Sequence, residues 1–204
     1  MANYGNTCDE VCEFLKERYD TQDFLVLDTE TEGIKKGVID LAIIGPDGSV
    51  LFDSLIHNEE PIMPRALAIH HISEAMLVDA PSFKDIWPKV HTILKTARYI
   101  ITYNAAFDLA RIEYSTERSG ITWNIDAAGE PQFLCLMRDY AEHWGEIYWA
   151  GYRPQKLEIA LFQQKIEHQG FHRALSDAQA AYKLMRCLAT KADRQTEPLI
   201  EEAV

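Results

Sequence analysis

Paired cysteines are missing: Cys8, Cys12, Cys135 and Cys187 form no CxxC motif, so a zinc knuckle or a thioredoxin-like site has no basis. Reduced thiols in a cytoplasmic protein are the expectation. Long apolar runs are missing too. No stretch approaches the roughly 18 to 20 uninterrupted apolar residues of a membrane helix, so no membrane partner is expected. The opening MANYGNT has neither a basic n-region nor an apolar core, which predicts no secretory leader. Positive charge is scarce: 20 Lys and Arg stand against 32 Asp and Glu, a net charge of −12. Extensive wrapping of nucleic acid by a basic face is therefore disfavoured, because phosphate neutralisation dominates such affinity. A carboxylate-lined pocket that recruits cations remains open.

What is present suits one globular domain: 204 residues, 47% hydrophobic and 25% charged. The domain is expected over 1–192, with 1–21 as an N-terminal helical extension and 193–204 as a flexible acidic tail. Val11, Phe14 and Leu15 at helical spacing predict a helix over 7–20, capped by Thr7 or Asp9. The apolar run from Phe24 reads as a strand buried on both faces. Strands over 38–44 and 50–56 follow, joined by the turn Pro46-Asp47-Gly48-Ser49, and make an antiparallel meander. Residues 61–81 read as irregular, with one helical turn at 73–77. Helices at 82–97, 105–117, 138–144, 157–165 and 174–192 and strands at 99–103 and 133–137 complete the pattern. The expected fold is α/β, with a mixed five-stranded sheet (a three-strand antiparallel meander plus two parallel strands) flanked by helices.

Chemistry enters through three separated pieces. Asp28 and Glu30 close the first strand as Asp-Thr-Glu, and positions i and i+2 of a strand share a face. Carboxylates so close repel, which raises a pKa or demands a cation. Asp108 lies one turn into a helix that Asn104 is placed to cap. His172 and Asp177 are five residues apart, about 140° on a regular helix, and converge only if His172 sits in the loop before it. Each piece alone has a plain structural reading, such as an acid in a first helical turn. Together they bring four acids and an imidazole to the ends of two adjacent strands. Such a cluster calls for about two divalent cations, and oxygen ligands select hard ions such as magnesium or manganese. Two such ions suit in-line attack at phosphorus.

These motifs, in this order, resemble those of the DnaQ-like DEDDh exonucleases of RNase H-like fold, over 24–188. The first motif is carried by Asp28 and Glu30, the second by 104–108, the third by His172 and Asp177. The His-x4-Asp spacing excludes the variant with Tyr where Arg173 stands, and Tyr103 departs from the His that often precedes the Asn. The segment PRALAIHHISEAM looks most like the bacterial exonuclease X branch. The resemblance implies a 3′–5′ exonuclease that releases nucleoside 5′-monophosphates from DNA ends. It implies two Mg2+, replaceable by Mn2+, held by Asp28, Glu30, Asp108 and Asp177, with His172 as general base. It also implies substrate contacts through Thr29 or Thr31 amides, Asn104, and Ile72 and Phe107 flanking the last base. His70 and His71 sit in the matching loop, against substrate or as idle surface residues, and Lys35, Lys36, Arg65 and Arg111 either line the approach or are simply solvated surface charges. An exoribonuclease of the same superfamily is the alternative. A non-catalytic polymerase-accessory module on this fold is a further one, and the presence of all five site residues counts against it. A polymerase or homo-oligomeric partner is left open.

Overall fold

The computed structural model describes residues 6–57, 59–170 and 172–196. A leading helix, α1 (Asn6–Thr21), precedes three antiparallel strands, β1 (Phe24–Thr31), β2 (Val38–Ile44) and β3 (Val50–Leu55). Two short helices, α2 (Pro64–His70) and α3 (Glu74–Leu77), lead to α4 (Phe83–Leu94), β4 (Tyr99–Thr102) and α5 (Ala105–Arg118). Then come β5 (Gln132–Cys135), α6 (Leu136–Trp144) and a small hairpin, β6 (Ile147–Tyr148) with β7 (Gly151–Tyr152). The helices α7 (Leu157–Gln163) and α8 (Ala174–Thr196) follow. The main sheet has the order β3-β2-β1-β4-β5, with β1 antiparallel to β2 and parallel to β4. It is the mixed five-stranded sheet that the strand pattern predicts, with the RNase H-like fold that the resemblance implies.

One strand serves two cores. Phe24 and Val26 of β1 join the apolar cluster that includes α1, α6 and α8 residues, while Leu25 and Leu27 join the cluster with α4. Burial on both faces is why the sequence run is continuous rather than alternating. The alternation carries on into the polar end of β1: Asp28 and Glu30 follow Val26 onto the α8 face, and Thr29 follows Leu27 onto the α5 face. Ala174, Ala178 and Ala181 are buried where α8 crosses β1 and β2, and their small side chains let the helix lie close to the sheet.

Several details differ from the sequence-based expectation. Residues 64–70 are helical rather than irregular. Pro64 occupies the first turn of α2, where a fixed φ and a missing N–H cost nothing. The helix escaped notice because Leu67 and Ile69 are exposed, which destroys the amphipathic period. The β6–β7 hairpin was missed because its Trp-Ala turn lacks the usual Asn-Gly signal. Asn104 does not cap α5 with its side chain; its carbonyl accepts the Phe107 and Asp108 N–H groups instead. The last helix runs on to Thr196, past the expected end at 192. The rest of the acidic tail, 197–204, and the side chains of Thr7 and Asp9 lie outside the described residues. Among the described residues no helix is long and apolar enough to cross a membrane.

Candidate active site

The polar ends of β1 and β4 and the approach to α8 meet in one place. Asp108, one turn into α5, is buried and accepts both the Thr29 N–H at 3.1 Å and the Thr29 hydroxyl at 2.8 Å. These bonds tie β1 to α5. His172 lies in the loop before α8 with φ of 67°, and its N–H reaches the two Asp177 carboxylate oxygens at 3.3 and 3.2 Å. A left-handed turn thus overcomes the angular mismatch of the five-residue spacing. Ligand atoms of Glu30, His172 and Asp177 all lie within 4.8 Å of one another.

The electrostatics are those of crowded, largely desolvated acids. Burial pushes the Asp28 carboxyl well above the usual range, and Asp108, Asp177, Glu30 and Asp40 push it further. Glu30 is raised to about 8 by burial and then by Asp177 and Asp40. Asp108 is raised to about 7 by burial, against the pull of the Thr29 hydrogen bonds. Asp177 is raised to about 6 by burial, opposed by the His172 N–H. Desolvation and like charge act in the same direction here, so the pocket is short of positive charge. Carboxylate oxygens with one imidazole are a donor set that fits hard divalent cations.

Two acids that sequence reasoning missed adjoin this cluster. Asp40 is buried on β2 opposite Glu30, accepts Arg173 Nε–H at 2.8 Å and Ala174 N–H at 3.2 Å, and leaves Oδ1 without a partner. Burial raises its pKa and Arg173 opposes the rise. Glu158, in the first turn of α7, places Oε1 3.4 Å from His172 Nε2. In the sequence Asp40 is one acid interrupting an apolar strand, and Glu158 an ordinary first-turn acid. Neither carries a motif.

Beside the cluster opens a cavity of about 730 Å³, walled by Glu30, Thr31, Ile34, Met63, Ile69 and Phe107 and rimmed by Lys35, Lys36 and Arg65. Thr31 and Phe107 therefore line this cavity. Ile72 does not. It is fully buried with Ile39 and Leu77, and Ile69, nearly one turn earlier on α2, takes the wall position. Thr29 has its backbone amide engaged by Asp108, so it has no N–H left for a ligand. Asn104 faces a second cavity of about 380 Å³, shared with Tyr103, Glu158, His172 and Asp177. His70 is neither idle nor on the surface. Its Nδ1 accepts the Ile72 N–H at 2.9 Å, so Nε2 carries the hydrogen and donates to Thr31 O at 3.2 Å. The buried neutral ring stitches α2 to the end of β1. His71 is exposed and caps α2 in the left-handed region. Arg111 lines neither cavity; its guanidinium lies 5.6 Å from the Tyr114 ring centroid.

A five-stranded mixed sheet with four acids and an imidazole gathered at the polar ends of its inner strands is the arrangement of the DnaQ-like exonucleases. The chain belongs to the RNase_T exonuclease family, whose model matches residues 25–185. An uncharacterized exonuclease, CP81 of Escherichia phage 186, is 31% identical over 176 residues, covering 82% of this chain and 88% of the phage protein. Exodeoxyribonuclease 10 of Escherichia coli K12 is 28% identical over 158 residues, which cover 74% of this chain and 62% of that one. The solved structure of exonuclease X in complex with 5′ overhanging duplex DNA is 26% identical, with a TM-score of 0.60 over 82% of this chain and 92% of that one. E. coli exonuclease I in complex with a dT13 oligonucleotide shares the fold at 19% identity, with a TM-score of 0.68 over 84% of this chain and 42% of that one.

Proposed function

We propose that this chain is a divalent-metal-dependent 3′–5′ exonuclease that releases nucleoside 5′-monophosphates from DNA. The observation that carries the reading is the convergence of Asp28, Glu30, Asp108, Asp177 and His172 beside a cavity large enough for a nucleotide. Asp28, Glu30 and Asp177 would hold one Mg2+, and Asp28 with Asp108 a second. Bound there, such cations supply positive charge to the phosphodiester oxygens and lower the pKa of water.

The protein residues account for the rest. The terminal nucleotide enters the cavity between the apolar walls Phe107 and Ile69, which are tolerant of base identity. Thr31 faces the sugar from the end of β1, and Lys35, Lys36 and Arg65 at the rim meet phosphate. The His172 imidazole takes the proton of the attacking water, and the Glu158 carboxylate, 3.4 Å from Nε2, stabilises the imidazolium that results. The water oxygen bonds to phosphorus as the bond to the penultimate 3′-oxygen breaks; that oxygen takes a proton from solvent, and the phosphate leaves on the terminal nucleoside. DNA is favoured because two of the similar proteins are an exodeoxyribonuclease and an exonuclease held on duplex DNA.

A 5′-labelled oligonucleotide with magnesium tests the reading. Stepwise shortening from the 3′ end is expected, stopped by chelator and abolished in Asp28→Ala. His172→Ala should lower the rate by about 10²- to 10⁴-fold while keeping the cation requirement. A matched RNA strand should be a poorer substrate. A magnesium-dependent ladder undiminished in Asp28→Ala would refute the assignment.

A further inference from the structure

Between α6 and α7 the chain leaves the main body in the β6–β7 hairpin, and the turn carries Trp149 at 88% exposure. Its neighbours Ile147 and Tyr148 are exposed as well. Trp149 also sits at φ of 53°, an unfavourable conformation for a bulky side chain that persists only when the surroundings impose it. The surroundings do so. Arg153 Nε meets Glu146 Oε1 at 2.6 Å, the Arg153 N–H donates to Glu146 O at 2.8 Å, and Gln155 Nε2 donates to Glu146 Oε2 at 3.1 Å. The Arg153 guanidinium lies 4.6 Å from the Tyr148 ring centroid, and the Tyr148 and Trp149 rings meet edge to face at 6.3 Å. A braced hairpin that points a tryptophan at solvent holds a binding group ready.

The base of the hairpin leads straight to the candidate active site. Gln155 O accepts the Tyr103 hydroxyl at 2.9 Å, at the end of β4 beside Asn104. Pro154, Gln155 and Lys156 then form one wall of the 380 Å³ cavity whose other wall carries His172 and Asp177. From Trp149 to Pro154 the extended chain spans at most about 17 Å, the length of a few stacked bases. The segment 145–156 carries two bases against one acid, in a chain whose net charge is −12. Exposed aromatics with a local positive balance, continuous with a phosphodiester-cleaving pocket, suit a nucleic-acid strand rather than an apolar protein face.

We propose that the Tyr148–Trp149 hairpin is a stacking platform for the single-stranded segment immediately 5′ of the terminal nucleotide. This rests on the exonuclease reading above and adds where the rest of the substrate runs. Stacking does not read sequence, so the platform favours length over composition.

The test compares a dT12 strand with a dinucleotide in wild type, Trp149→Ala and Trp149→Phe, reading KM during hydrolysis in Mg2+ and the dissociation constant of labelled dT12 in Ca2+. Trp149→Ala is expected to weaken dT12 binding about tenfold, the size of one lost base–aromatic stack, and to shrink the preference for dT12 over the dinucleotide by the same factor. Trp149→Phe should retain most of both. Wild-type values in Trp149→Ala would overturn the platform and leave the exonuclease reading intact. Trp149-dependent binding without hydrolysis would uphold the platform and sink that reading. Absence of both binding and hydrolysis in wild type would end the two together.

Discussion

Asp40 carries a carboxylate into a place where water does not reach, and one of its oxygens goes without a hydrogen-bond partner. Arg173 and the Ala174 N–H, one and two residues beyond His172, hold the other oxygen. The pair thereby fixes the loop that presents the imidazole. Asp40→Ala should destabilise the fold by about 1–3 kcal/mol in urea titrations, the cost of leaving such partners unmet. Asp40→Asn keeps the shape but removes the ionic hold on Arg173. It should slow turnover by about 10- to 100-fold with KM nearly constant, since displacement of a positioned group costs rate before binding. Equal losses in turnover and affinity would argue for general disorder instead. A second residue-scale contrast shows where sequence reading stops. Glu32 repeats the spacing of Asp28 and Glu30, yet the strand register slips between Glu30 and Thr31. Glu32 turns away and accepts the Glu59 and Glu60 N–H groups at 2.8 and 3.0 Å. Spacing identified the two acids of the cluster, but the bulge that rejects the third has no local signature.

At the level of elements, the cavity is made by the β1–β2 connection and α2 closing over the end of β1. Gly33 marks their closest approach: a Cβ built there would fall 2.5 Å from Met63 Sδ and 2.9 Å from its Cγ. Met63 is the flexible partner, so Gly33→Ala should leave thermal stability nearly unchanged and push Met63 into the cavity. The expected result is a KM raised several-fold in steady-state kinetics, whereas an unaltered KM would remove that wall from substrate binding. The meander, the order of β1 and β4, and the long helices were all readable, because burial on two faces and a regular apolar stripe leave periodic marks. The helix α2, its wall residue Ile69 and the β6–β7 hairpin were not. Their apolar side chains face solvent or a cavity, where no periodicity is enforced.

Across the whole molecule the four gathered carboxyls link stability to acidity. Their folded pKa values lie above those of an unfolded chain, with Glu30 at about 8, Asp108 at about 7 and Asp177 at about 6. The folded state therefore binds more protons, and stability falls as pH rises from about 4 through about 8. A divalent cation bound by the same groups opposes that loss. Thermal scans with and without magnesium should show a larger rise in Tm at pH 8 than at pH 5. Asp28→Asn should raise the cation-free Tm at pH 8 and shrink the magnesium increment. A cation effect independent of pH would separate the ions from these carboxyls. The overall charge of −12 leaves no broad excess of basic residues to meet phosphate, as the proposed cation-dependent reading requires.

The position of α8 as the last element in the chain has a temporal consequence. His172 and Asp177 are translated long after Asp28 and Glu30, yet all four belong to one cluster. A ribosome must pass residue 177 before the last two side chains of the cluster exist, and α8 must dock before they face the others. In a nascent or prematurely terminated chain the cluster is therefore incomplete, and it closes only with the last long helix.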